Sequence, residues 1–248
     1  MENTVRPFTY FLRPLTVKFR FALNLKGLRY RTEWVEWADI ETVCKEIGAP
    51  PTSTKKDGSP RYTLPVIYDP STKTIISNSP KIADYLDATY PDTQPLFPPG
   101  TRGLQAAFRA AFTSGITSQL NDPLWSLTVL PECLNLSDRN SKVFRVAKEA
   151  EAGKKLEQVA PEGEVREAVL QQLEKNLLRA GSWYKANGDT PFIMGDIPIQ
   201  SDLGIASCLL WVRQTVGRDT KEWARIVAFD DGRWGRFMQA VEKYTQVV

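Results

Sequence analysis

The chain has 248 residues, 42% of them apolar and 25% charged, enough for one large domain or two modest ones around a sizeable core. Its 32 basic and 29 acidic residues are mixed along the chain for a net charge of +3, which gives no reason to expect nucleic acid as a partner. It contains no histidine, so Ser-His-Asp and Cys-His nucleophiles, histidine metal sites and a histidine general base are all excluded.

From the N-terminus, MENTVRPFTY lacks the apolar core of a secretory signal, and no later apolar run reaches the ~20 residues that cross a bilayer, so no membrane partner is expected. PFTYFL reads as a strand. Residues 16–26 read as a helix, with Thr16 as a candidate cap, Val17, Phe21 and Leu25 on one face, and Gly27 suited to the position after the C-cap. Tyr30, Thr32 and Trp34 then alternate with Arg29, Arg31 and Glu33, as in a half-exposed strand. This is a βαβ opening. A short helix through IETVCKEIG leads into a polar loop, APPTSTKKDGSPR. LPVIY and KTIIS form a hairpin around Asp69-Pro70-Ser71-Thr72. SNSPKIADYLDATYP is a helix with Pro80 in its first turn and Ile82, Tyr85 and Leu86 on its apolar face.

PDTQPLFPPG, residues 91–100, is a linker by composition. Beyond it the periodicity is helical: 104–120 carries Phe108 and Phe112, 164–186 carries Val165, Val169, Leu173 and Leu177, SDLGIASCLLWVRQTVG is apolar enough to be buried, and a last helix spans about 233–245. The expected layout is an α/β domain over 1–90, the linker, and an all-helical domain over 101–248. Cys44, Cys133 and Cys208 are widely spaced and odd in number, which fits a reducing cytoplasm and no zinc ribbon.

Two stretches carry candidate chemistry. In Leu64-Pro65-Val66 a proline without an N–H precedes a strand, and its X-Pro bond is a candidate for the cis form. Val66 would then present backbone groups at a sheet end to an extended peptide-like ligand. A dozen residues on, Asn78-Ser79-Pro80 opens a helix, whose N–H groups together with the Ser79 hydroxyl suit a carboxylate. Taken singly, these stretches are an ordinary strand entrance and an ordinary helix cap. Together they could hold a small peptide with a carboxylate at one end.

LPVIYDPSTKTIISNSPKIADYLDATYP resembles the glutathione-binding half of a cytosolic glutathione transferase, and GDIPIQSDLGIAS resembles the start of that family's central helix, with Asp202 in the buried acidic position. Within the family, GAPPTSTKKDGSPRYTLPVIYDPSTKTIISNS and FRFALNLKGLRY are most similar to the fungal FuA class, related to bacterial lignin β-etherases. The resemblance implies a thioredoxin-like N-terminal domain, an all-helical C-terminal domain, glutathione as cofactor and a homodimer. It places Pro65 and Val66 at the cysteinyl moiety, Ser79 at the γ-glutamyl carboxylate and Asn78 at the γ-glutamyl amine. Lys55, Lys56 or Arg61 would meet the glycyl carboxylate.

The chain also departs from the family pattern. Where serine-type members put a serine before a proline at the start of the first helix, this chain has Arg13-Pro14. A thiolate could instead be held by the charge of Arg13, the hydroxyl of Thr16 or the phenol of Tyr10, although each also reads as a turn, cap or core residue. Ile199 stands where a Ser or Thr cap is expected, leaving Asp202 without its capping-box partner. Phe108, Phe112, Trp125 and Trp211 are candidates for an aromatic pocket or for plain core. Three functions remain open: a glutathione-dependent transferase acting on hydrophobic aromatic compounds, a non-catalytic ligandin that binds them, and a regulatory partner-binding protein.

Overall fold

The structure, a computed structural model, describes residues 4–9, 14–112, 118–188 and 190–246. It divides into two compact units, Met1–Leu96 with Lys243–Val248 and Phe97–Glu242.

The first unit is built on a four-stranded sheet of β1 (Arg6–Thr9), β2 (Glu33–Trp34), β5 (Val66–Asp69) and β6 (Thr74–Ser77), in the order β2-β1-β5-β6. β1 and β2 are parallel, joined through helix α1 (Pro14–Leu25), whereas β5 runs antiparallel to both β1 and β6. This is the thioredoxin-like arrangement. α1 packs against α3 (Ser79–Thr89), which also contacts β5 and β6. Buried Phe19, Phe21, Leu23, Val66, Ile67, Ile82 and Leu86 form the core.

Several local features follow from single residues. α1 closes at Gly27, with a φ of 65°, where the Gly27 N–H bonds to the carbonyl of Asn24 and the Leu28 N–H to that of Leu23. The helix starts at Pro14, two residues before the predicted start. Proline suits a first helical position because its missing N–H has no partner there anyway. Trp34 corrects the predicted alternation: it is 48% exposed and stacks on the Arg20 guanidinium. The loop read into 49–61 contains a small ladder of β3 (Ser53–Thr54) and β4 (Pro60–Arg61), after helix α2 (Ile40–Glu46). Its turn is fixed by the Asp57 carboxylate, which accepts from both the N–H and the hydroxyl of Ser59.

The first unit has two further ties. The Lys26 ammonium lies 2.8 Å from the Asp87 carboxylate in a buried pair, and Asp87 also accepts the Leu96 N–H. The tail returns to this unit, where the Asn24 amide donates to the carbonyls of Tyr244 and Gln246, and the Tyr30 hydroxyl to that of Gln246.

The second unit is helical: α4 (Arg102–Phe112), α5 (Ser118–Leu134), α6 (Asp138–Ala152), α7 (Glu164–Lys185), α8 (Gln200–Val216), α9 (Lys221–Ala228) and α10 (Arg233–Val241). α5 contacts both α7 and α8, and α8 is buried continuously from Gln200 to Val212 as its apolar run predicts. α7 buries Leu170, Leu173, Leu177 and Tyr184, while Val165 is exposed at its start. The stretch around KKLEQVAPEG is less solvated than its charge suggests, because Leu156, Val159 and Ala160 are buried.

Candidate functional site

One end of the sheet gathers the candidate groups. β1 and β2 end together, with Thr9 in register with Trp34. β5 starts there, with Val66 opposite Phe8 on one side and Ser77 on the other. β6 ends at Ser77 and α3 follows within two residues, while α1 begins five residues after Thr9. Two helix N-termini, each carrying a partial positive charge, therefore open at this end of the sheet.

The Leu64-Pro65 bond is cis, as the X-Pro reading anticipated. Val66 is fully buried as the first residue of β5. The two predicted stretches meet directly, since the Asn78 N–H lies 3.4 Å from the Pro65 carbonyl. Asn78 has a φ of 84° and ψ of 118° and makes no side-chain cap hydrogen bond. A non-glycine residue in this region of backbone space is strained by about 1–3 kcal/mol. The helix that follows is anchored by the Ile82 N–H on the Asn78 carbonyl, and Ser79, its first residue, is buried. The sequence spacing of Pro65, Val66, Asn78 and Ser79 thus becomes one contiguous corner.

The basic candidates sit differently. The Lys55 ammonium is 2.9 Å from Glu41, which Lys45 also pairs at 2.8 Å. Hydrogen bonds from both lysines pull the Glu41 carboxyl down to about 2. Lys55 is therefore already partnered, whereas Lys56 and Arg61 are exposed on the small hairpin. Arg13 and Tyr10 lie outside the described residues. Thr16 falls inside the first turn of α1 and not at its cap, because the helix begins at Pro14.

Of the aromatic candidates, Phe108 and Phe112 are on α4, with side chains outside the described set. Trp125, on α5, is half-buried and Trp211, on α8, is buried; the Trp211 indole N–H has no hydrogen-bond partner among the described residues. A cavity of about 230 Å³, lined by Leu130, Leu134, Asn135, Arg166 and Thr215 among others, takes in none of the four.

Two buried charged groups fall outside the site residues singled out from the sequence, Asp69 and Arg20. Asp69, at the end of β5, accepts from the Ser71 N–H and hydroxyl and from the hydroxyls of Tyr85 and Tyr90. Burial pushes its carboxyl up, but these hydrogen bonds outweigh burial and leave it below its ordinary value. Arg20, on α1, is 4% exposed, and its Nε and Nη1 have no partner among the described residues. The Asp69–Ser71 pair is the local turn read from the sequence, whereas the two tyrosine donors and the burial of Arg20 carry no local signal.

The helix-start motif in the second unit is closed. Asp202 accepts the Ile199 N–H at 2.8 Å, the Ile193 N–H at 3.1 Å and the Tyr184 hydroxyl at 2.7 Å. Its half of the capping box forms although Ile199 has no polar side chain to return it. Burial pushes its carboxyl up to about 6 against these three donors.

Family comparisons agree with this geometry. The glutathione S-transferase N-terminal domain matches residues 13–89 and the C-terminal domain matches residues 107–244. The chain belongs to the glutathione S-transferase family. Its structure is similar to that of glutathione transferase GSTFuA3 from Phanerochaete chrysosporium, with a TM-score of 0.89 and 39% identity over 100% of this chain and 99% of that one. GSTFuA2 from the same organism has a TM-score of 0.90 and 38% identity over 99% of each chain. CsGST63524 of Ceriporiopsis subvermispora, solved in complex with glutathione, has a TM-score of 0.91 and 38% identity over 99% of each chain. The FuA-class resemblance read from the motifs is therefore shown. No curated protein matches the chain. No helix among the described residues is long and apolar enough to cross a membrane.

Proposed function

We propose that this glutathione S-transferase family member binds glutathione at the Pro65–Ser79 corner and uses its thiolate to conjugate or cleave hydrophobic aromatic compounds. The observation that carries this reading is the strained, uncapped start of α3 beside the first residue of β5. Val66 would pair through its backbone with the cysteinyl moiety, Ser79 and the α3 N-terminus would hold the γ-glutamyl carboxylate, and Asn78 would meet the γ-glutamyl amine. An amide at that position can accept a hydrogen bond but adds no charge, so the contact is weaker than a carboxylate would make. With Lys55 bound to Glu41, the glycyl carboxylate falls to Lys56 or Arg61. Glutathione supplies the nucleophile and the protein supplies orientation and charge. The glutathione-bound CsGST63524 structure and the family match support this reading. A homodimer in the cytoplasm belongs to the same proposal, in keeping with three free, buried cysteines.

A second reading rests on Arg13-Pro14 standing where serine-type relatives put Ser-Pro: a ligandin that binds aromatic compounds without turning them over. Assay of a chloro-nitroaromatic with glutathione separates the two. Turnover well above background that is lost on Ser79→Ala supports the transferase. Absence of turnover, with aromatic ligands still bound at micromolar affinity, leaves the ligandin.

A further inference from the structure

Arg20 is the feature that the motif reading leaves unexplained. A buried guanidinium normally has its donors bonded or its charge paired, because desolvating it alone is expensive. Here Nε and Nη1 are both buried and neither has a partner among the described residues. Burial pushes the guanidinium pKa down, and the Tyr30 phenol is the titratable group that acts against this. Glu33, the carboxylate next to Trp34, is bonded instead to Arg31.

The direction of the side chain follows from two observations. Helical side chains lean toward the helix N-terminus, so a long residue six positions after Pro14 covers the first turns of α1. Its guanidinium carbon also lies 5.3 Å from the centroid of the Trp34 ring, and Trp34 is the last residue of β2 at the site end of the sheet. The order β2-β1-β5 puts that position two strands from Val66, about 10 Å at ordinary strand spacing. A buried cation whose Nε and Nη1 lack hydrogen-bond partners among the described residues thus stacks on Trp34 at the same end of the sheet as the corner assigned to glutathione, on the side of α1.

We infer that Arg20 is a positioning residue for charge, stabilising the glutathione thiolate from beneath Trp34 and standing in for the hydroxyl that relatives place before Pro14. This rests on the glutathione reading above. The thiol proton passes to solvent, and the sulfur anion is held between the α1 N-terminus and the guanidinium. Trp34 keeps bulk water off one face of the guanidinium, so that the charge is poorly screened.

The test is a pH titration of the thiolate ultraviolet absorbance of glutathione bound to the full chain, with S-methylglutathione binding measured in parallel by calorimetry. In the wild type the bound thiol should titrate at least about one unit below free glutathione. Arg20→Met should raise it by about one unit, and Arg20→Lys should keep most of the depression. S-methylglutathione affinity should stay within about twofold across the three proteins, since it has no thiol to ionise. A bound thiol that titrates like free glutathione in the wild type, or equally in wild type and Arg20→Met, overturns the inference. An undepressed wild-type thiol overturns the inference even if one variant fails to fold, and Arg20→Lys then supplies the second variant. S-methylglutathione failing to bind the wild type overturns the glutathione reading and this one with it. Binding with an unmoved thiol overturns only the role of Arg20.

Discussion

Two helix starts in this molecule answer the same physical problem in opposite ways. Every α-helix leaves its first N–H groups without internal partners. At the start of α8, Asp202 turns back onto the Ile199 N–H and also takes the Ile193 N–H and the Tyr184 hydroxyl, closing the corner with protein groups. At the start of α3, Asn78 makes no cap bond, sits in strained backbone and leaves Ser79 at the head of the helix. A helix start satisfied from within has nothing to offer a ligand. One held open, at a cost in backbone strain, is where an anion belongs.

Removing the closure should have the largest effect. Asp202→Ala leaves one hydroxyl and two N–H groups in the core without an acceptor, and a loss of about 3 kcal/mol is expected in urea unfolding. A loss under about 1 kcal/mol would mean that α8 is not held by this carboxylate.

The same residue sets a pH dependence. Its folded-state carboxyl, near 6, lies above the ordinary aspartate value, so the folded chain holds the proton more firmly than the unfolded chain does. The stability this contributes is fully present below about pH 4 and is lost as pH rises through about 6. Relative to Asp202→Asn, which cannot titrate, the wild type should lose stability across that window. Parallel curves would contradict the assignment. Asp69 in the first unit has the opposite sign: with its carboxyl held below the ordinary value, its contribution is lost on acidification.

The smallest expected effect lies at the open start. Asn78→Gly removes the penalty for a φ of 84° and should raise stability by about 1 kcal/mol while weakening glutathione binding. Stabilisation without any change in binding would separate the strain from the site.

Much of this contrast could be read from the chain. Pro65, Ser79 and Pro80 announce their positions because proline and helix-start residues have narrow backbone preferences, and α8 announces itself by its unbroken apolar run. Gly27 and Gly48 mark helix ends for the same local reason; both have positive φ. What stayed hidden depends on distant partners or on weak patterns. The ladder of β3 and β4 is polar on both faces, so alternation could not reveal it. α5 contains Pro123 and Pro131, which obscure a helix that tertiary packing retains. The capture of Lys55 by Glu41, the two tyrosine donors on Asp69 and the burial of Arg20 each depend on how elements pack, which no local spacing encodes.

The central claim is that the start of α3 is left open for the carboxylate of glutathione, and calorimetric titration of glutathione into wild type and Ser79→Ala tests it most directly. The account predicts binding to the wild type, weakened about tenfold or more in the variant, with urea midpoints that nearly coincide because the Ser79 hydroxyl makes no hydrogen bond among the described residues. Equal affinity in the two proteins, or no binding to either, would contradict it.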